Sequence, residues 1–245
     1  MREEMTLAER KHVETLSMSR PDWDVMAISP LFSDEQHGKE ADHVYTKVHP
    51  YLRGMASVLK LLATYRPSHV LDIGSPLAQN VAVDALTSLT MVDVREHRDL
   101  SLGLKCVVGT ACDLPIPTAS QEMVTSLWVM CHVGDGRYGD TLEPEGDVKM
   151  LQEIYRVLRP EGVAALGVGP LSEKCRILFN AHRLYSWKWL SRVFKEIGFS
   201  VLLKEEYPVS RDMFFHPHWE NGVSIVTERE DGMYGYVVLR KPNGH

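Results

Sequence analysis

Apolar residues recur at two different periods along this chain, and the change of period outlines the fold. Between residues 49 and 64, Tyr51, Met55, Val58, Leu61 and Leu62 fall at helical spacing. That pattern predicts an amphipathic helix, which Pro67 stops. Short, nearly continuous apolar runs follow: HVLDIG (69–74), LTMVDV (89–94), KCVVG (105–109), MVTSLWVM (123–130) and VAALGVG (163–169). Runs of this kind read as strands covered on both faces. Residues 77–87 read as a helix between the first two strands. In 148–158, Val148, Leu151, Ile154, Tyr155 and Leu158 share one helical face, with Asp147 as the expected N-cap and RPEG (159–162) as the turn that follows. SWKWLSRVFKEIG (186–198) reads as a helix ending at Gly198. Two strands come last, at 199–207 and 235–242, joined by a long connection that suggests an antiparallel pair at the sheet edge. Upstream, residues 4–17 form a short helix and 18–44 are polar and irregular.

Strands alternating with helices predict an α/β fold with a mostly parallel sheet. Ligands in such sheets bind beyond the carboxyl ends of the strands, which directs attention to the loops after Ile73, Val92, Val108 and Met130.

Composition adds limits. The chain has 245 residues, a formal net charge of −6 and 24% charged residues. A full core is within reach, and a mildly acidic protein lacks the broad basic footprint of a nucleic-acid binder. No apolar run approaches the length that spans a membrane, and the charged N-terminus lacks a signal-peptide core. Cys106, Cys112, Cys131 and Cys175 form no CxxC pair and no zinc spacing. A cytoplasmic, reducing location is the simplest expectation.

Four stretches carry candidate chemistry. In VLDIGSPLA (70–78), Gly74 permits a tight turn, but a dinucleotide loop needs further glycines, and Pro76 removes one donor. Pyrophosphate binding, and with it a nicotinamide enzyme, is disfavoured. Asp93 ends the second strand, where a carboxylate can accept both hydroxyls of a ribose. In CDLPIP (112–117), Asp113 can accept from an amino group, while Leu114 and Ile116 flank a flat ring. The last stretch is HVGDGRYGDTLEPEGD (132–147), with four glycines and five carboxylates. Its carboxylates repel phosphate, and its spacing is not that of a calcium loop. Divalent metal binding by Asp135, Asp140, Glu143 and Glu145 stays open, although no metal site is assigned.

Taken together, LDIG, VDV, CDLPIP, WVMCHV and LRPEGV resemble the class I S-adenosylmethionine-dependent methyltransferases over residues 50–242. The resemblance implies a Rossmann-like, seven-stranded, mostly parallel sheet with helices on both faces and an antiparallel last strand. It also implies S-adenosylmethionine as cofactor. Asp72, Gly74 and Ser75 would line its methionine end, Asp93 would hold its ribose, and Asp113 with Leu114 its adenine. GSPLA departs from the usual turn of two or three glycines. GRYGD, FNAHRLYS (179–186) and GSP also look like a methyltransferase-like family of unknown function. Family architecture divides the chain into a catalytic domain at 49–245 and an extension at 1–48, a possible lid.

Methyl transfer to a hydroxyl benefits from a base. His132, at the end of strand four, is the first candidate and His182 the second, since histidine titrates near neutrality. On this reading 132–147 is an acceptor-side loop. Arg137 and Arg183 offer guanidinium forks to an anionic acceptor, and Tyr138 and Tyr185 offer rings and hydroxyls. Asp140 and Asn180 complete the acceptor set. A purely structural role competes in each case: a histidine bonded to a carbonyl, or an arginine paired within its own loop. The expected activity is O-methylation of a small-molecule or sugar-like acceptor, with an inactive methyltransferase-fold binding protein or partner subunit as the alternative. Neither nucleic acid nor membrane is expected as a partner, and the oligomeric state is not legible.

Overall fold

The computed structural model describes residues 6–27, 50–96, 103–179, 181–210 and 231–243. In chain order the elements are α1 (Leu7–Ser19), β1 (Asp24–Ala27), α2 (Pro50–Tyr65), β2 (His69–Ile73), α3 (Leu77–Asp84), β3 (Ser88–Asp93), β4 (Lys105–Val108) and β5 (Gln121–Leu127). They continue with α4 (Gly146–Val157), β6 (Leu158–Leu171), β7 (Arg176–Phe179), β8 (His182–Leu184), α5 (Trp187–Ile197), β9 (Ser200–Ser210) and β10 (Asp231–Arg240).

Seven strands form one sheet in the order β4-β3-β2-β5-β6-β10-β9. β4, β3, β2, β5 and β6 run parallel, and β10 runs antiparallel to both β6 and β9. The expected edge pair is present, with the reversed strand lying inside β9. Strand order turns around at β2, between β3 on one side and β5 on the other. The carboxyl ends of β2 and β5 diverge there and open a crevice.

Alternating residues divide the core between the two faces of the sheet. Leu71, Ile73, Val124 and Leu166 pack with α4 through Met150, Leu151 and Ile154, and with α5 through Leu190 and Phe194. Val70, Met91, Met123 and Ala165 pack on the other face with Val58 and Leu62 of α2 and Val83 of α3. The helix period and the strand period therefore meet at the same apolar layers.

A second sheet departs from the sequence expectation. Part of the segment read as irregular, Asp24–Ala27, is strand β1, which pairs in parallel with β7, and β7 pairs antiparallel with β8. α1 begins at a capping box, where Thr6 and Glu9 exchange hydrogen bonds. Of the suggested lid, residues 1–5 and 28–48 lie outside the described residues.

Three boundaries also differ. β5 stops at Leu127, and Met130–His132 form one turn of 3-10 helix, so His132 is not on a strand. The break falls at Trp128, whose φ of 65° no strand residue adopts. β6 starts earlier than expected, at Leu158, and the RPEG residues form their turn as a bulge within it: Leu158 pairs with Gln121 and Val163 with Met123, and Glu161 sits at φ 63°. α4 begins at Gly146 with Glu145 in the cap position, and Asp147 lies buried inside the first turn. Asp147 is therefore not the N-cap. Its carboxylate is committed to arginines, as described below.

Candidate functional site

A cavity of about 380 Å³ opens at the crevice where the strand order reverses. Its wall comes from the ends of four strands: Ile73–Leu77 after β2, Met91–Arg95 at β3, Gly109–Ala111 after β4 and Leu127–Val129 after β5. His132, Val133, Tyr138 and Asp140 close the remaining side. The volume and mostly apolar lining suit a small organic ligand.

The turn after β2 is held by a buried network in place of additional glycines. Asp72 Oδ2 accepts from Ser75 Oγ at 2.7 Å, Thr125 Oγ1 at 2.6 Å and Gln79 Nε2 at 3.0 Å, and Oδ1 accepts from Ser75 N at 3.0 Å. Ser75 Oγ also accepts from Leu127 N at 2.8 Å, tying the turn to the end of β5. Burial raises the Asp72 pKa, and the hydrogen bonds from Thr125 and Ser75 oppose that. Asp72 does not reach the cavity, which corrects the expectation that it lines the methionine end. Gly74 and Ser75 do line it. Gly74 sits at φ +63°, bringing backbone to the cavity wall, and a Cβ there would meet Val129 Cγ1 at 3.1 Å.

Asp93 lines the cavity. Its Oδ1 accepts from Arg95 N at 2.9 Å and Arg95 Nε at 3.1 Å, and its Oδ2 from Arg95 Nη2 at 3.3 Å. The arginine fork therefore already occupies the carboxylate that was matched to ribose. Asp113 and Leu114 are not in the wall: Asp113 is exposed, and Leu114 is buried with its N–H donated to Glu153 at 2.8 Å. Thr110 and Ala111 take their place. Sequence reading missed them by following the carboxylate instead of the residues that directly follow the strand.

His132 faces the cavity in a defined tautomer. Its Nδ1 lies 2.6 Å from the Ala181 carbonyl oxygen. A carbonyl only accepts, so Nδ1 carries the hydrogen and Nε2 holds the lone pair. Arg137 Nη1 donates to the same oxygen at 2.7 Å. Burial, and then the Arg137 charge, hold His132 well below its ordinary value, so it is neutral. His182 is buried behind it, ring centroids 6.1 Å apart, and burial lowers it to about 3. His182 does not line the cavity.

The GRYGD loop is shaped largely by its own groups. Asp140 Oδ2 accepts from Gly134 N at 2.6 Å, and Glu143 N donates to Gly134 O at 2.9 Å. Glu143 also pairs with Lys149 at 2.5 Å. Tyr138 meets His132 edge to face at 5.5 Å, and the guanidinium carbons of Arg95 and Arg137 lie 5.1 and 5.5 Å from its ring centre. Gly134 stands at φ +84°, where a Cβ would lie 2.1 Å from the Glu143 carbonyl oxygen. Gly134→Ala is expected to cost roughly 2 kcal/mol or more, read as a lower midpoint in urea. An unchanged midpoint would show that the loop relaxes freely.

Neither arginine of the expected acceptor set lines the cavity, and Arg137 instead donates to Ala181 O. Arg183 and Tyr185 are fully buried away from the cavity, which removes them from the acceptor set. Arg183 pairs with Asp135 at 2.9 Å and donates to Val133 O at 2.6 Å. Arg20 forks onto Asp147, and Tyr185 donates to Asp147 Oδ2 at 3.0 Å. Trp189 stacks on Tyr185 at 5.4 Å, so it serves packing. Asn180 lies outside the described residues. Among the described residues, no group of three or more side chains is arranged to hold a metal, and no helix is long and apolar enough to cross a membrane.

The sheet order, the single reversed strand and the crevice position define the class I S-adenosylmethionine-dependent methyltransferase fold. Solved structures share it. The chain is similar to 1,6-didemethyltoxoflavin-N1-methyltransferase of Burkholderia thailandensis, solved with bound 1,6-didemethyltoxoflavin and S-adenosylhomocysteine. The TM-score is 0.62 at 16% identity, covering 98% of this chain and 92% of that one. A methyltransferase candidate from Bacillus halodurans gives 0.58 at 15% identity, over 77% of this chain and 99% of its own. The YcgJ protein of Bacillus subtilis gives 0.55 at 14%, over 78% and 99%. A family described as Caenorhabditis protein of unknown function, DUF268, matches residues 116–210, less than half of the chain. No curated protein sequence matches.

Proposed function

We propose that the protein is an S-adenosylmethionine-dependent methyltransferase that methylates a hydroxyl of a small molecule. One observation carries this reading: a single cavity joins the Gly74–Ser75 turn, Asp93 and the Thr110–Ala111 wall to His132, whose Nδ1 is anchored on Ala181 O. The residues present fit the cofactor. Gly74 and Ser75 would hold its methionine end, Asp93 its ribose in competition with Arg95, and Thr110 and Ala111 its adenine. Once bound, the sulfonium supplies an electrophilic methyl group. His132 Nε2 accepts the hydrogen bond of the acceptor hydroxyl and aims its oxygen, with Tyr138 and Asp140 alongside. The catalytic unit is residues 49–245, with 1–48 as an extension, and the four free thiols suit a reducing cytoplasm.

Calorimetry with S-adenosylmethionine and S-adenosylhomocysteine tests the reading. Both should bind. Asp93→Ala should weaken binding by about 10²-fold, the value of two hydrogen bonds to a charged group. Absence of binding by the unmodified protein would remove the enzyme assignment and leave a methyltransferase-fold binding protein.

A further inference from the structure

The two oxygens of Asp93, at the end of β3, offer about four lone-pair positions. Arg95 takes three of them. Its backbone N–H and Nε donate to Oδ1 at 2.9 and 3.1 Å, and Nη2 donates to Oδ2 at 3.3 Å. A ribose held through both hydroxyls asks for two. The carboxylate therefore serves the guanidinium fork or the sugar diol in full, and not both at once. The two partners differ in exposure: the Asp93 side chain is 5% exposed and that of Arg95 is 43%. The acid is fixed in the cavity wall, whereas the guanidinium stands toward solvent, where water replaces the carboxylate when the fork opens. An ion pair this exposed is held weakly. The guanidinium carbon also lies 5.1 Å from the centre of the Tyr138 ring. Arg95 follows β3 and Tyr138 belongs to the loop after β5, and both line the cavity. Their contact joins its ribose side to its acceptor side.

We propose that Arg95 is a gate on the cofactor pocket: closed, its fork fills Asp93, and it must swing off that carboxylate for a ribose to bind. The inference rests on the methyltransferase reading and concerns how that site admits its cofactor. Rotation of the Arg95 side chain alone opens the gate. The Arg95 backbone N–H stays on Oδ1, so Asp93 keeps its orientation and turns its released positions to the sugar hydroxyls. The Tyr138 ring gives the guanidinium a second resting place on the cavity rim, since a ring face needs no directed bond. A pocket that is open only part of the time binds its ligand more weakly, in proportion to the open fraction. Arg95 therefore acts on affinity for the cofactor and not on the reacting atoms. Its removal strengthens binding, the opposite of what the loss of a cofactor ligand does.

Calorimetry of the full chain with S-adenosylhomocysteine tests the gate. Arg95→Ala should tighten binding about fivefold, the strength of one exposed ion pair removed as a competitor. Arg95→Lys, which keeps the charge without the fork, should fall between Arg95→Ala and the unmodified protein. In an Asp93→Ala background, Arg95→Ala should leave the affinity unchanged, because the contest is for that carboxylate. Weaker or unchanged binding by Arg95→Ala would overturn the proposal. A gain that persists without Asp93 would overturn it too, since the obstruction would then lie elsewhere. If S-adenosylhomocysteine does not bind the unmodified protein, the methyltransferase reading falls and takes this inference with it. Binding that Arg95→Ala does not strengthen removes the inference alone.

Discussion

Asp147→Ala should lower the unfolding free energy by about 3–5 kcal/mol, the range for breaking one side of a buried ion pair. Asp147 is fully buried and receives the Arg20 fork and the Tyr185 hydroxyl, with Arg183 Nε at 3.9 Å. Its removal strands the Arg20 charge, which is itself only 6% exposed. Arg183 keeps Asp135 at 2.9 Å, so the loss is centred on Arg20 and the α1 end of the network. Asp147 is held below the usual carboxylate range by Arg20 and Arg183, against the opposing effect of burial. Its contribution to stability is therefore present above the unfolded value of 3.8 and is lost as pH falls through the lower folded value. Urea unfolding at neutral pH checks the mutant. A loss under 1 kcal/mol at an unchanged denaturant slope would mean that the network contributes little. Asp147→Asn, which keeps an acceptor for Tyr185 but not the charge, should fall between.

His132→Ala should cut turnover about 10²-fold or more while cofactor affinity stays close to normal. The size follows from the role proposed for Nε2, the base toward the acceptor hydroxyl. Because burial and Arg137 lower the His132 pKa, the neutral, accepting form persists as pH falls below 6.5. The acidic limb of kcat/KM should therefore lie below pH 6.5, the ordinary histidine value. A limb centred at 6.5 or above would show that an ordinary exposed group controls the reaction. Unchanged turnover in His132→Ala would remove the residue from the mechanism.

The site was legible in part. Gly74, Ser75, Asp93, His132, Tyr138 and Asp140 all lie on one cavity, since each sits at or beyond the carboxyl end of a parallel strand. Asp72, Asp113, Leu114, Arg137, His182, Arg183 and Tyr185 do not, although their residue types suit the chemistry equally well. A carboxylate or guanidinium in a motif offers the same atoms to a ligand and to a neighbour. For Asp72 the neighbours are Ser75, Gln79 and Thr125, and for Arg183 they are Asp135 and Val133. Thr110 and Ala111 carried no chemical signal at all.

Local pattern determined the sheet strands and the helices that cover them, because an apolar period of two or of 3.6 residues has one way to bury its stripe. It also fixed local ends such as Gly198, which closes α5 at φ +107°. Partners distant in sequence were decided only by the tertiary structure. β1 pairs with β7 across some 150 residues, Arg20 finds Asp147, and Ala181 sets the tautomer of His132. Hydrogen bonds and ion pairs of this kind depend on where the packed sheet brings two groups together. A one-dimensional pattern records which groups exist, and only the packed chain shows which of them are already taken.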